Sequence, residues 1–189
     1  MSENKKKKQT DLSGSAYLQQ CIRKERRRKD RHRLYRDLIV TSVLVFILFQ
    51  VILGVAVIQK DSMSPNLTEG SIALFLRLDS HYKCNDIVIF RSAYNNELLI
   101  KRIVAVAGDK IEIDEETGTL YVNGIANDPE TIVGKTYSRE HGVTFPLTVP
   151  NGCVFVMGDN REVSLDSRDF GSIDIRKIIG KVFFEIKRV

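Results

Sequence analysis

The sequence predicts a mainly β protein, an antiparallel barrel or sandwich, carried behind a single N-terminal transmembrane helix. Three observations predict it. There is an uncharged run of 21 positions from Leu38 to Ile58, and a strongly basic stretch stands before it. After it come short runs rich in Val, Ile and Phe, separated by turn residues and without extended helical periodicity.

The basic stretch comes first. Residues 1–37 hold 13 Lys or Arg against 5 Asp or Glu, a charge of +8, while the rest of the 189-residue chain sums to −3. Lys5–Lys8 and the run from Arg23 to Arg36 resemble a nucleic-acid-binding arm when read alone. The uncharged run that follows changes that reading. At about 1.5 Å per residue, a helix of its length covers roughly 30 Å, one bilayer core. A cleavable leader is the competing interpretation. Its apolar core is shorter and ends in small residues, whereas Gln59-Lys60-Asp61 follows here. The run is therefore read as an anchor over 38–59. The basic tail, 1–37, stays in the cytoplasm against anionic lipid, and residues 60–189 lie beyond the membrane. Nucleic acid is not an expected partner; the bilayer is.

The body is read as strands Ser71–Leu78, Asp86–Arg91, Leu98–Ala107, Lys110–Asp114, Thr119–Val122, Val143–Val149, Cys153–Met157 and Ile178–Ile186. Glu115-Glu116-Thr117-Gly118 makes a hairpin, and Asn123-Gly124 makes the next turn. Cys21, Cys84 and Cys153 are too few and too scattered for a disulfide framework or a zinc site. The chain has no HExxH, no CxxC and no glycine-rich phosphate loop.

Three stretches carry chemistry. Asp61-Ser62-Met63-Ser64-Pro65 puts a hydroxyl just outside the anchor. In Leu98–Val104, strand alternation puts Lys101 on one face with Leu99 and Ile103, and Arg102 on the other with Ile100 and Val104. A lysine among apolar neighbours is either buried, which disfavours its ammonium, or reaches water along an apolar stem. The third stretch, Gly158 to Gly171, is dense in Asp, Asn, Ser and Arg. It is either a polar loop laced by ion pairs or the frame of a site. Asp166 and Arg168, two apart, point the same way if that segment is extended.

With these stretches in this order, the sequence resembles the type I signal peptidases, membrane-bound Ser–Lys proteases. The resemblance runs from residue 38 to about 187. It rests on Ser62–Pro65, on Asp86–Phe90, on Lys101-Arg102 followed by Gly108-Asp109, and above all on Gly158-Asp159-Asn160-Arg161 through Ser164, Asp166, Ser167 and Arg168 to Gly171. The single anchor and short body look like the family's Gram-positive members.

The resemblance implies Ser62 as nucleophile and Lys101 as general base, with Ser164 hydrogen-bonding and orienting the lysine. It implies that Asp166, Arg168 and Arg102 brace the site and that Asp159 and Asn160 shape the adjacent turn. It also implies a mostly β body with a small β region inserted near 111–148. Two positions depart from the pattern. Where members carry Ser, Thr or Gly two residues before the nucleophile, this chain has Lys60, leaving only the Ser62 N–H as an implied oxyanion donor. Where a Gly is usual before Asp86, it has Asn85, a residue that tolerates positive φ. The resemblance leaves open whether Cys84 and Cys153 pair.

Hydrolysis of a peptide bond needs a nucleophile, a base and an oxyanion partner. His32, His81 and His141 lie outside every motif, so a Ser–Lys dyad without metal or cofactor is expected in place of a histidine triad. The expected substrates are precursors bearing signal peptides, cut after small residues and met in two dimensions at the membrane surface. Two other readings are a self-cleaving repressor-type protease and an inactive relative acting as a binding module in protein export or pilus assembly. The anchor opposes the first, and the presence of both Ser62 and Lys101 opposes the second.

Overall fold

The computed structural model describes residues 3–187 apart from 79–80, 93–95 and 128–131, with side chains from Arg23 onward. The side chains of Lys5–Lys8 and Cys21 thus lie outside the described residues. The chain forms two compact units, residues 1–48 and 49–189.

The first unit is one helix, α1 (Glu3–Ile47), which continues as a π-helical turn over Leu48–Ile52. From Arg23 to Ile52 it is long and apolar enough to cross a membrane. Its apolar side chains, among them Leu38, Leu44, Phe46 and Phe49, are exposed.

The uncharged run does not stay helical to its end. Leu53–Val57 is a strand, β1, paired antiparallel with β2 (Ile72–Leu76), with Gly54 opposite Phe75. Two causes are visible. Val55 and Val57 are β-branched, and Gly54 leaves room for the end of the Phe75 ring to pack directly against the strand. A Cβ added at Gly54 would stand 2.1 Å from that ring.

The second unit is mainly antiparallel β. Its larger sheet contains β1, β2, β3 (Ile87–Arg91), β4 (Leu98–Val106), β9 (Cys153–Met157), β10 (Ile173–Asp174) and β11 (Ile178–Ile186). Their order is β1-β2-β11-β3-β4-β9-β10. Between β4 and β9 comes a smaller sheet, β7-β6-β5-β8, built from β5 (Lys110–Asp114), β6 (Thr119–Val122), β7 (Ile125–Ala126) and β8 (Leu147–Thr148). It occupies the place expected for the inserted region. The strand expected over Val143–Val149 pairs only at Leu147–Thr148. Pro146 has no N–H to offer a ladder, which shortens it from that side. A short helix, α2 (Ser167–Phe170), follows β9.

Alternation along β4 and β9 feeds separate buried clusters. Leu99 and Ile103 pack with Val88, Phe90, Val154 and Val156. Val104, Ala105, Phe155 and Met157 pack with Ile111, Leu120 and Val149 beside the smaller sheet. A third cluster, Ile58, Met63, Leu67 and Ala73, sits under the turn that carries Ser62. At about 25 cal/mol per Å² of apolar surface, burying one such side chain contributes roughly 1.5–3 kcal/mol, so the strands that present the polar site stand on a rigid base. Asn85 turns the chain into β3 at φ 72°, the left-handed conformation the sequence allows for asparagine there. Cys84 and Cys153 are free thiols.

Candidate active site

Ser62 sits in one 3-10 turn, Asp61–Met63, just after β1. Met63 is buried in the cluster below and fixes the turn. The Ser62 N–H lies at the start of a helical turn, where backbone donors have no acceptor within the turn. The Ser62 carbonyl accepts from the Asn160 N–H at 3.1 Å, tying the turn to the polar loop.

Lys101 stands opposite Val88 in the middle of the larger sheet and is 2% exposed. Its Nζ lies 2.6 Å from Ser62 Oγ. Burial lowers the Lys101 pKa to about 8 from an ordinary 10.5. The carboxylate of Asp166 opposes that shift, the ammonium of Lys60 adds to it, and Asp159 opposes it. About a tenth of the amine is therefore uncharged at pH 7, against well under a thousandth for an ordinary lysine.

The polar loop is a cross-braced frame. Asp166 caps α2, accepting from the Arg168 backbone N–H, while Asp169 accepts from the Asp166 N–H to complete a capping box. The Arg168 guanidinium donates to both Asp166 oxygens at 2.9 and 3.0 Å and to the Arg161 carbonyl at 2.6 Å. Burial pushes the Asp166 carboxyl up, but its hydrogen bonds and ion pair with Arg168 bring it below the ordinary carboxylate value. Asp166 also accepts from the Gly158 N–H at 3.2 Å. On the other side of the dyad, Arg102 grips buried Asp159 through two 2.7 Å bonds, and Asn66 donates to the same carboxylate at 2.8 Å. Arg102 also donates to the Asn85 carbonyl at 3.0 Å, so the left-handed turn supports this ion pair.

One expected contact is absent. Ser164 is buried, and its Oγ does not bond Lys101; it lies by the Asp166 carboxylate, which it helps to hold below the ordinary value. The hydroxyl is wedged against Gly158: a Cβ there would stand 2.3 Å from Ser164 Oγ and 2.4 Å from the Ser62 carbonyl oxygen. Ser164 is thus beside the dyad without a bond to it, and Lys101 spends its bond on Ser62.

The sequence reading assigned no role to Arg161, Thr136, Asn66 or Arg139. Arg161 is buried, donates to the Gly158 carbonyl at 3.1 Å and reaches Thr136 Oγ1 at 2.5 Å. Arg139 donates to the carbonyls of Arg161 and Ser164, both at 3.1 Å. Thr136 and Arg139 come from the segment between β7 and β8, so the insertion props the loop. Arg161 was visible as a member of the polar run; the others carry no local signal.

Two cavities meet at Ser62. One, about 550 Å³, is a mainly apolar cleft between residues 55–60 and 97–101, closed below by Met63 and Ile89 and bordered by Val163 and Leu165. Leu98–Lys101 have β3 on one side; β9 joins β4 only from Arg102 onward. The other cavity, about 450 Å³, is lined by Gln59, Lys60, Asp61, Ser62, Glu69, Asn160 and Val163. Lys60 stands at the junction, its ammonium 3.4 Å from Glu97. Among the described residues, no group of three His, Cys, Asp or Glu side chains is arranged to hold a metal. A buried amine against a hydroxyl at an extended cleft is chemically competent for acyl transfer.

Comparison with known proteins adds the family context. A family model described as signal peptidase, peptidase S26, matches residues 31–187. The chain is 34% identical over 160 residues to a chloroplastic thylakoidal processing peptidase of Arabidopsis thaliana, a match covering 76% of this chain and 45% of that one. It is 33% identical over 163 residues to signal peptidase IB of Staphylococcus aureus, covering 77% of this chain and 83% of the relative. Among solved structures it is similar to a signal peptidase I from Enterococcus faecalis. That likeness has 30% identity and a TM-score of 0.46, over 55% of this chain and 97% of the other.

Proposed function

Because the chain belongs to the signal peptidase family, peptidase S26, we propose that it is a membrane-anchored serine endopeptidase. It removes signal peptides from secreted precursors, with Ser62 as nucleophile and Lys101 as general base. The observation that carries the residue assignment is the 2.6 Å separation of Ser62 Oγ and a buried Lys101 Nζ.

The chemistry follows from that pair. Uncharged Lys101 takes the Ser62 proton as Oγ attacks the scissile carbonyl carbon. The Ser62 N–H faces the oxygen that becomes negative. Lys101 then returns the proton to the leaving nitrogen as the C–N bond breaks, and the mature chain departs as an amine. A water deprotonated by the same lysine hydrolyses the acyl ester and frees Ser62. Asp166 with Arg168, and Asp159 with Arg102, keep the frame rigid; Ser164 fills the space behind the dyad. No step calls for a metal or cofactor.

Substrate binding follows from the cleft. An extended peptide adds as a strand against residues whose edges have no partner, with small side chains directed into the apolar floor. The helix before β1 spans the membrane once, with the +8 tail in the cytoplasm and the body on the far face. Enzyme and precursor are then confined to one surface, which raises their effective concentration.

The test uses the full-length protein in lipid vesicles with a secreted precursor, following release of the mature chain and its new N-terminus. Ser62→Ala and Lys101→Ala should each lower release by about 10³-fold or more while the thermal unfolding transition remains cooperative. Normal processing by either variant overturns that residue's role. Failure of the unaltered protein to cut any precursor points to the inactive-relative reading.

A further inference from the structure

The two cavities that meet at Ser62 differ in character. The 550 Å³ cleft is mainly apolar, and its one ion pair, Lys60 with Glu97, is internally neutral. The 450 Å³ cavity on the other side of Ser62 carries Asp61 and Glu69, and among the described residues that line it the one cation is that same Lys60, paired with Glu97. Neither Asp61 nor Glu69 is buried. A peptide bond held over Ser62 has its acyl part on one side and its leaving part on the other. The apolar residues that precede the cut suit the apolar cleft. The leaving part then occupies the charged cavity.

We propose that this second cavity is the subsite for the first residues of the mature protein, and that Asp61 and Glu69 make it select basic over acidic side chains there. The proposal rests on the reading of Ser62 as the nucleophile. It assigns the new specificity to residues outside the dyad and its braces. The same two carboxylates attract the newly formed N-terminus, which becomes an ammonium once it takes up a solvent proton. Because both are solvent-exposed, the selection is modest and weakens with salt.

The experiment measures kcat/KM of the full-length protein in vesicles on three peptides. They share one signal-peptide portion and carry Lys, Gln or Glu at the first position after the cut. Lys should exceed Glu by about three- to tenfold at low salt, with Gln between, and the spread should narrow at high salt. In Glu69→Gln, and further in Asp61→Asn/Glu69→Gln, the Lys-to-Glu ratio should fall toward one whatever the absolute rate. Equal cutting of all three peptides by the unaltered enzyme, or an unchanged ratio in the double variant, overturns the subsite alone. Cutting of none overturns the nucleophile assignment and the subsite with it.

Discussion

Lys101 Nζ and Ser62 Oγ lie 2.6 Å apart although their residues are 39 positions apart in the chain. Two elements bring them together: the middle of β4, which carries the lysine into the sheet, and the turn after β1, which is pinned by Met63 and by the Asn160 N–H. Because the Lys101 pKa is lowered to about 8, kcat/KM should rise with pH on an acid limb centred near 8. At pH 6 it should be roughly a hundredfold below its plateau, one proton being lost. A flat profile from pH 6 to 9 would exclude a titrating lysine as base.

The same depressed pKa carries a cost in stability. The unfolded chain holds the lysine proton up to pH 10.5, whereas the folded chain releases it near 8. Folding is therefore penalised below pH 8, and the penalty fades as pH rises from 8 to 10.5. Lys101→Met should abolish activity yet raise stability, by up to about 3 kcal/mol at pH 6–7, with the gain shrinking towards pH 10. Urea unfolding at the two pH values measures it. A gain that does not shrink would mean that packing, and not charge, is responsible.

How much of this was legible in the sequence depends on range. β5, β6, β9 and β11 begin and end where runs rich in β-branched and aromatic residues meet turn residues, a signal that is local in the chain. Leu53–Val57 was not legible as a strand. An uncharged apolar run looks the same to a helix and to a buried strand, and only pairing with β2 distinguishes them. The roles proposed for Ser62 and Lys101 rest on the family resemblance of the motifs in their order, since no local spacing links them. Arg139 and Thr136 were silent. Their function is to bond a loop more than 20 residues away, in three dimensions only.

The Arg102–Asp159 pair is nearly dry, with side-chain exposures of 15% and 1%. Removing one partner strands the other. Arg102→Met should cost about 3 kcal/mol, and Arg102→Met/Asp159→Asn should recover part of that loss. A double-mutant cycle by thermal unfolding reads the coupling. Additive single costs would show that the pair is not a unit.

Asn85 holds φ 72° while its carbonyl accepts from Arg102. Asn85→Gly should be neutral or slightly stabilising, and Asn85→Ala should cost about 1 kcal/mol. The alanine variant should also lose activity in parallel with stability, because the turn supports Arg102. If glycine and alanine behave alike, the left-handed backbone is not what the position requires.

Gly158 provides the sharpest test of how tightly the frame is built. Its missing side chain leaves room for Ser164 Oγ and for the Ser62 carbonyl, which an added Cβ would approach to 2.3 and 2.4 Å. Such separations are far inside van der Waals contact, so one of the two must move. Ser164 has little freedom, since its own carbonyl is held by Arg139 and its side chain is enclosed. The Ser62 carbonyl is held by Asn160, whose N–H is two residues along the same loop. Gly158→Ala should therefore displace the turn that carries Ser62 and lower kcat by about a hundredfold or more with a smaller change in KM, since a shift near 1 Å has that effect on reacting groups. Gly158→Ala/Ser164→Gly removes the nearer clash and should restore part of the rate. Without any recovery in the double variant, the obstruction would lie with the Ser62 carbonyl and not with the buried hydroxyl.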